Sequence, residues 1–246
     1  MANLMRSAKS SSDWSGNELL AFNIRVVDAG IAPFFNTTEL PQPTVSTTIL
    51  ANIDKPDAPL MKDDRLFFQY MKMVEKPRIS EFCVNDFAAF LLRITNHDES
   101  DDQDRVICQR TKISFPMVGQ RVEARVDGDK RFSSYEDPEP HVIAGAIAAF
   151  YQNNLRRRQS GLPPLPSKYI PAITMIGTAP IFYRILVTTT LLEALAAASY
   201  PREETTVLRF IPSVPNQERY LEEGMHPIVN RHAILQCFEG FKAVIN

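Results

Sequence analysis

Hydrophobic positions in this chain recur with two periods, and each change of period marks an element. Phe87, Phe90, Leu91 and Ile94 fall at i, i+3, i+4 and i+7, one apolar stripe along a helix that Asn85 is placed to cap. Ile143, Ile147 and Phe150 mark the buried side of a longer helix over 140–158, with Pro140 in its first turn and three arginines at its end. Ile234, Phe238, Phe241 and Ile245 give the closing helix its stripe. Between these the period drops to two. In 118–126, Val122, Ala124 and Val126 alternate with Arg121, Glu123, Arg125 and, at the strand's end, Asp127, so these four charged residues share one face of a strand. With 105–114 this segment predicts a hairpin. Further strands are predicted over 23–27, 172–177, 181–187 and 206–211.

The remaining segments are read from local signals. Ser15 followed by Glu18 is a capping-box pattern that opens a short helix. Thr190 and Glu193 have the same spacing before an apolar run that Pro201 stops. Residues 33–64, rich in proline and threonine, read as extended and irregular. Residues 66–74 fit a helix or a strand. The acidic run 97–104 reads as a solvated surface loop, and 161–171 (GLPPLPSKYIP) as a rigid linker. Strands and helices interleaved in this way define an α/β chain, a sheet flanked by helices, organised as one domain over 15–246 behind a flexible tail at 1–14.

Composition narrows the function classes. Apolar residues make up 44% of the chain, enough to build a core. The net charge is −2, so any anion-binding surface must be a local patch. Glycine is scarce, and neither GxGxxG nor GxxxxGK[ST] occurs. Cys83, Cys108 and Cys237 lack zinc-ligand spacing, and His226 and His232 lack the i, i+4 spacing of a helical metal pair. The N-terminus lacks a signal-peptide pattern, and no apolar run is long enough to span a bilayer. These features point to an intracellular protein, cytoplasmic or nuclear, without a membrane partner.

The candidate chemistry lies mid-chain. Asp127 ends a strand, and Asp129 and Lys130 follow it directly. Two carboxylates that hold Mg²⁺ and a lysine beside them are the parts of a phosphodiester-cleaving site. The metal polarises the phosphate, and the lysine orients water or stabilises charge. Such a site places its second carboxylate on a new strand, yet only Gly128 separates the two aspartates. Asp127 and Asp129 beside a glycine are equally ordinary turn residues. Arg156, Arg157 and Arg158 form the densest basic cluster, with Lys130, Arg131 and Lys168 as further candidates for contacting DNA or RNA phosphates. A solvated helix end explains the arginines as well.

The segments WSGNELLAFNI, VNDFAAFLL, VEARVD, PEPHVIAGAIAAFYQNNLRRR, IGTAPIFYRI and ILQCFEGFKAVI resemble a group of uncharacterised fungal proteins with the restriction-endonuclease-like, PD-(D/E)XK fold. The resemblance runs from about Trp14 onward. It implies a helix bearing a metal-site glutamate at Glu18, a motif aspartate at Asp127 and a motif lysine at Lys130. The sequence departs from that pattern where it matters most. A strand ending in Glu-Asp-Lys is missing after Asp127, and the helix carries His141 and Gly145 where relatives are expected to carry Gln and Glu. What the resemblance implies is therefore a nuclease-like protein that is catalytically impaired, with nucleic-acid binding as a surviving role. An active Mg-dependent nuclease and a non-enzymatic interaction scaffold are the alternatives.

Overall fold

A computed structural model describes residues 6–75, 81–98, 112–125 and 137–245, and it is a mixed α/β structure. The elements in chain order are α1 (Gly16–Ala21), β1 (Ile24–Asp28), α2 (Ile31–Phe35), α3 (Thr47–Ala51), α4 (Lys62–Val74), α5 (Glu81–Ile94), β2 (Lys112–Met117), β3 (Gln120–Arg125), α6 (Glu139–Gln159), β4 (Ser167–Ile176), β5 (Ala179–Thr188), α7 (Thr189–Ala196), β6 (Thr205–Phe210), α8 (Tyr220–Glu223) and α9 (Ile228–Ile245). A four-stranded sheet has the order β1-β6-β5-β4, with β1 and β6 parallel and Asp28 opposite Arg209. The chain divides into two compact units. One comprises 1–29, 110–174 and 182–209, the other 30–109, 175–181 and 210–246.

In the first unit, β2 and β3 form the expected hairpin, but as a sheet of their own rather than as members of the four-stranded one. Their turn, Val118-Gly119, has positive φ at both residues (51° and 69°), the twist that suits a two-residue hairpin. A valine is strained there. The turn is held because Val118 N and Gly119 N donate to the Leu195 and Ala196 carbonyls at the end of α7, where helix carbonyls run out of intrahelical donors. Val122 and Ala124 are buried and Arg121 and Glu123 exposed, as the alternation requires. Arg121 reaches across the hairpin to Ser114 Oγ at 2.7 Å. Helix α6 lays Ile143, Ile147 and Phe150, all fully buried, against this hairpin. Each contributes about 1.5–3 kcal/mol by leaving water.

Several local expectations are corrected. The part of the N-terminal tail that is described is tied down. Arg6 lies over the rings of Phe22 and Tyr200, Lys9 pairs with Glu18, and Trp14 is buried against Phe22 and Phe115. The linker ends at 166, because Ser167–Ile176 is strand β4; its proline sits on an edge strand, where no ladder bond is lost. Thr188, not Thr190, caps α7, accepting from Leu191 N at 3.1 Å.

In the second unit, α4 resolves the ambiguous 66–74 as helix. Asn85 lies inside α5 rather than capping it, because the helix begins four residues earlier. The irregular segment holds two short helices, α2 and α3. Asn36 ends α2 in the left-handed region at φ 58°, and Ser46 caps α3. His97 is not in a solvated loop. It is buried beside Phe238 and Phe241, with Nδ1 against Thr95 Oγ1 at 2.9 Å. Residues 99–111, Cys108 among them, lie outside the described residues. The guanidinium of Arg231, fully buried on α9, donates to the carbonyls of Ile49, Asn52, Ile53 and Met225 and stacks near Phe67 and Phe68. Among the described residues no helix is long and apolar enough to cross a membrane.

Candidate functional site

Of the motif residues proposed for a metal site, Glu18 is described, while Asp127, Asp129, Lys130 and Arg131 lie outside the described residues. The capping box forms as its sequence predicts. Glu18 Oε2 accepts from Ser15 N and from Ser15 Oγ, both at 2.8 Å, and Oε1 accepts from Lys9 Nζ. Burial would raise its pKa, but the donors from Lys9 and Ser15 outweigh that and hold the carboxyl below the usual glutamate range. Both oxygens are therefore committed to donors. A cation on Oε1 would sit beside the Lys9 ammonium, which opposes it, so as held here this carboxylate does not fit the role of an open magnesium ligand. Among the described residues no three His, Cys, Asp or Glu side chains converge as a metal site needs.

A different charged cluster forms in the same unit. Arg209 on β6 makes a bidentate pair with Asp28 on β1, Nε to Oδ1 at 2.7 Å and Nη2 to Oδ2 at 3.1 Å. Its Nη1 donates to Glu139 Oε2 at 3.1 Å. Hydrogen bonding by Arg209 lowers the Asp28 pKa, whereas burial raises that of Glu139. Glu139 stands at the start of α6, its N–H held by Asp137 Oδ1 at 3.0 Å. Nearby, burial raises the Tyr183 phenol. No local sequence signal marks the cluster. Asp28, Glu139 and Arg209 are far apart in the chain, and only the parallel pairing of β1 with β6 brings the first and last into register.

Glu139 also lines a shallow groove of ≈ 540 Å³, whose walls are the start of α1, with Leu19 and Leu20, and the strand residues Ile24, Arg25 and Val26. Arg25 is held aside by Glu204 at 2.8 Å.

The basic residues collect at the opposite end of α6. Arg156 and Arg158 are exposed, and Arg157, half-buried, spends its Nε on the Pro163 carbonyl at 2.9 Å. Asn154 folds the connection back on the helix. Its Nδ2 donates to Leu165 O at 3.0 Å, and its Oδ1 accepts from Leu165 N at 2.8 Å. Lys168, exposed, follows three residues later at the start of β4. His141 is half-buried, and Gln152 on the same helical face donates to Ser114 O at 2.7 Å. Gln152 thus serves a structural bond to the hairpin.

No protein-family model, curated protein or solved structure matches this chain. The fold and its residues define it as an α/β protein.

Proposed function

We propose that the protein is a nuclease-like chain of the PD-(D/E)XK type that has lost catalysis and contacts nucleic acid through the basic end of α6. The observation that carries the reading is the state of Glu18. The one motif carboxylate described is spent on Ser15 and Lys9. With no Glu-x-Lys strand after Asp127, magnesium would lack the ligands that stabilise charge in the transition state. Arg156 and Arg158 are exposed at the end of α6 and Lys168 is exposed at the start of β4, which supports a phosphate-contacting patch that reads charge and not sequence.

Two measurements on the full chain test this. Incubation with Mg²⁺ or Mn²⁺ is expected to leave plasmid DNA and single-stranded RNA intact; cleavage abolished by Asp127→Ala would reinstate the active enzyme. A titration of labelled duplex at low ionic strength is expected to show binding that weakens steeply with salt. Replacing Arg156, Arg157 and Arg158 by alanine should flatten the logarithmic salt slope by roughly one for each phosphate that is no longer neutralised. No binding by the unmodified protein at low salt would sink the nucleic-acid role.

A further inference from the structure

The four-stranded sheet has two edges, and they differ in protection. The β4 edge carries Pro171 and Lys168, residue types that discourage a new strand from pairing. The β1 edge, Ile-Arg-Val-Val-Asp, has no proline, and its one long cation is drawn off the edge, with Arg25 Nε and Nη2 both 2.8 Å from Glu204 Oε1. The parallel ladder sets which peptide groups are free. Thr205 N donates to Asn23 O and Ala29 N donates to Arg209 O. Residues of that parity therefore face β6, and the N–H and C=O groups of Ile24, Val26 and Asp28 point away from it; Ile24 is buried, so Val26 and Asp28 are the residues that present theirs.

Those outward groups run beside the groove. Its apolar part is Leu19, Leu20, Ile24 and Val26, and Leu20 on the rim is 66% exposed. Its polar end is Glu139. Arg209 takes Glu139 Oε2, and no described residue donates to Oε1. Asp28 and Glu139 share a single guanidinium, so the end of the groove carries one carboxylate charge in excess. Backbone pairing groups, an apolar rim and an uncompensated carboxylate along one line are the parts of a strand-accepting site.

We propose that the β1 edge takes an extended peptide of a partner protein as an added strand, with a lysine or arginine of the peptide at Glu139 and apolar side chains against Leu20 and Val26. A second copy of the chain fits this edge poorly. In the register that pairs the whole of β1 antiparallel with itself, Val26 faces Val26 and Ile24 faces Asp28, an apolar side chain against a carboxylate. That pairing delivers no cation to Glu139, since Arg25 is already bound. The proposal is independent of the nucleic-acid reading, because the groove and the arginine turn lie at opposite ends of α6.

The test uses the full chain and a labelled, acetylated octapeptide of alternating valine and lysine, titrated to about 1 mM, where a standard binding free energy near −4 kcal/mol still registers. Saturable binding is expected. It should weaken at least about tenfold when alternate peptide amides are N-methylated, a difference of roughly 1.4 kcal/mol. Val26→Pro removes an outward N–H that serves no internal ladder bond and should weaken binding similarly. Glu139→Gln should weaken the lysine peptide but not one in which glutamine replaces lysine. No binding up to the limit, or binding indifferent to N-methylation, overturns the proposal. So does concentration-dependent dimerisation of the unmodified chain that Val26→Pro abolishes, because the occupant would then be a second copy.

Discussion

At the scale of single residues, Gly224 shows how a backbone position can be committed to one amino acid. Its φ is +47°, and an added Cβ would lie 2.1 Å from Thr178 Oγ1 and 2.8 Å from the Thr178 carbonyl carbon. That hydroxyl accepts from Met225 N at 3.0 Å, so it cannot move without loss. Gly224→Ala is expected to cost more than about 3 kcal/mol, from overpacking and a strained conformation together. Gly145 is the internal control. It lies mid-helix with nothing within 4 Å of a built Cβ, and Gly145→Ala should stabilise by about 0.5–1 kcal/mol. Urea unfolding of both variants checks the pair. Equal effects would show that Thr178 does not restrict position 224.

At the scale of elements, Arg231 binds α9 to the end of α3. The guanidinium donates to Ile49 O and Asn52 O where α3 ends, to Ile53 O beyond it, and to Met225 O ahead of α9. Burial lowers its pKa, yet these carbonyls, that of His226 at 3.5 Å and two aromatic faces replace its water. Arg231→Met keeps much of the volume but strands those carbonyls. A loss of about 3–5 kcal/mol is expected, with the midpoint moving in chemical denaturation and the slope unchanged. A loss below about 1 kcal/mol would mean that water or neighbouring donors satisfy the carbonyls instead.

For the whole molecule, the titratable groups set an acid limit in two stages. His97 has its pKa lowered to about 4, first by burial and then by the charge of Lys242. The unfolded chain binds this proton more readily, so the stability is present above the ordinary histidine value near 6.5 and lost as pH falls to about 4. That loss is on the order of 3 kcal/mol. Glu18, Asp28 and Glu239, whose pKa values are lowered, add a second loss below the ordinary carboxylate range. Glu139 works the other way. Its raised pKa means that protonation removes a buried charge, so it partly offsets the others in acid. Stability measured against pH should fall from about 6.5 downward, and His97→Asn should flatten the first stage alone. An unchanged slope in that variant would assign the first stage to another group.

The elements most legible in the sequence were those whose signal is local. The Ser15–Glu18 capping box, the α6 and α9 stripes and the β2–β3 alternation each concern residues within one or two turns or along one strand. Their geometry follows from short-range sterics and from which side must leave water. Where local signals competed, tertiary contact decided. Residues 167–171 look like linker but pair as strand, and His97 looks like loop but is enclosed by α9. The charged cluster was illegible for a stronger reason. Asp28 and Arg209 meet through a parallel pairing between strands 181 residues apart, and Glu139 reaches them from a helix start 70 residues from Arg209. The α/β class, the lack of a Glu-x-Lys after Asp127 and the position of the arginine run are legible in the chain alone. Tertiary contacts alone reveal that Glu18 is held by Lys9 as well as by its cap, that Asn154 folds Leu165 back on α6, and that β1 ends a sheet with its outward peptide groups beside a groove. Such facts depend on which distant segments share a strand edge or a buried charge, and no periodicity along the chain encodes that.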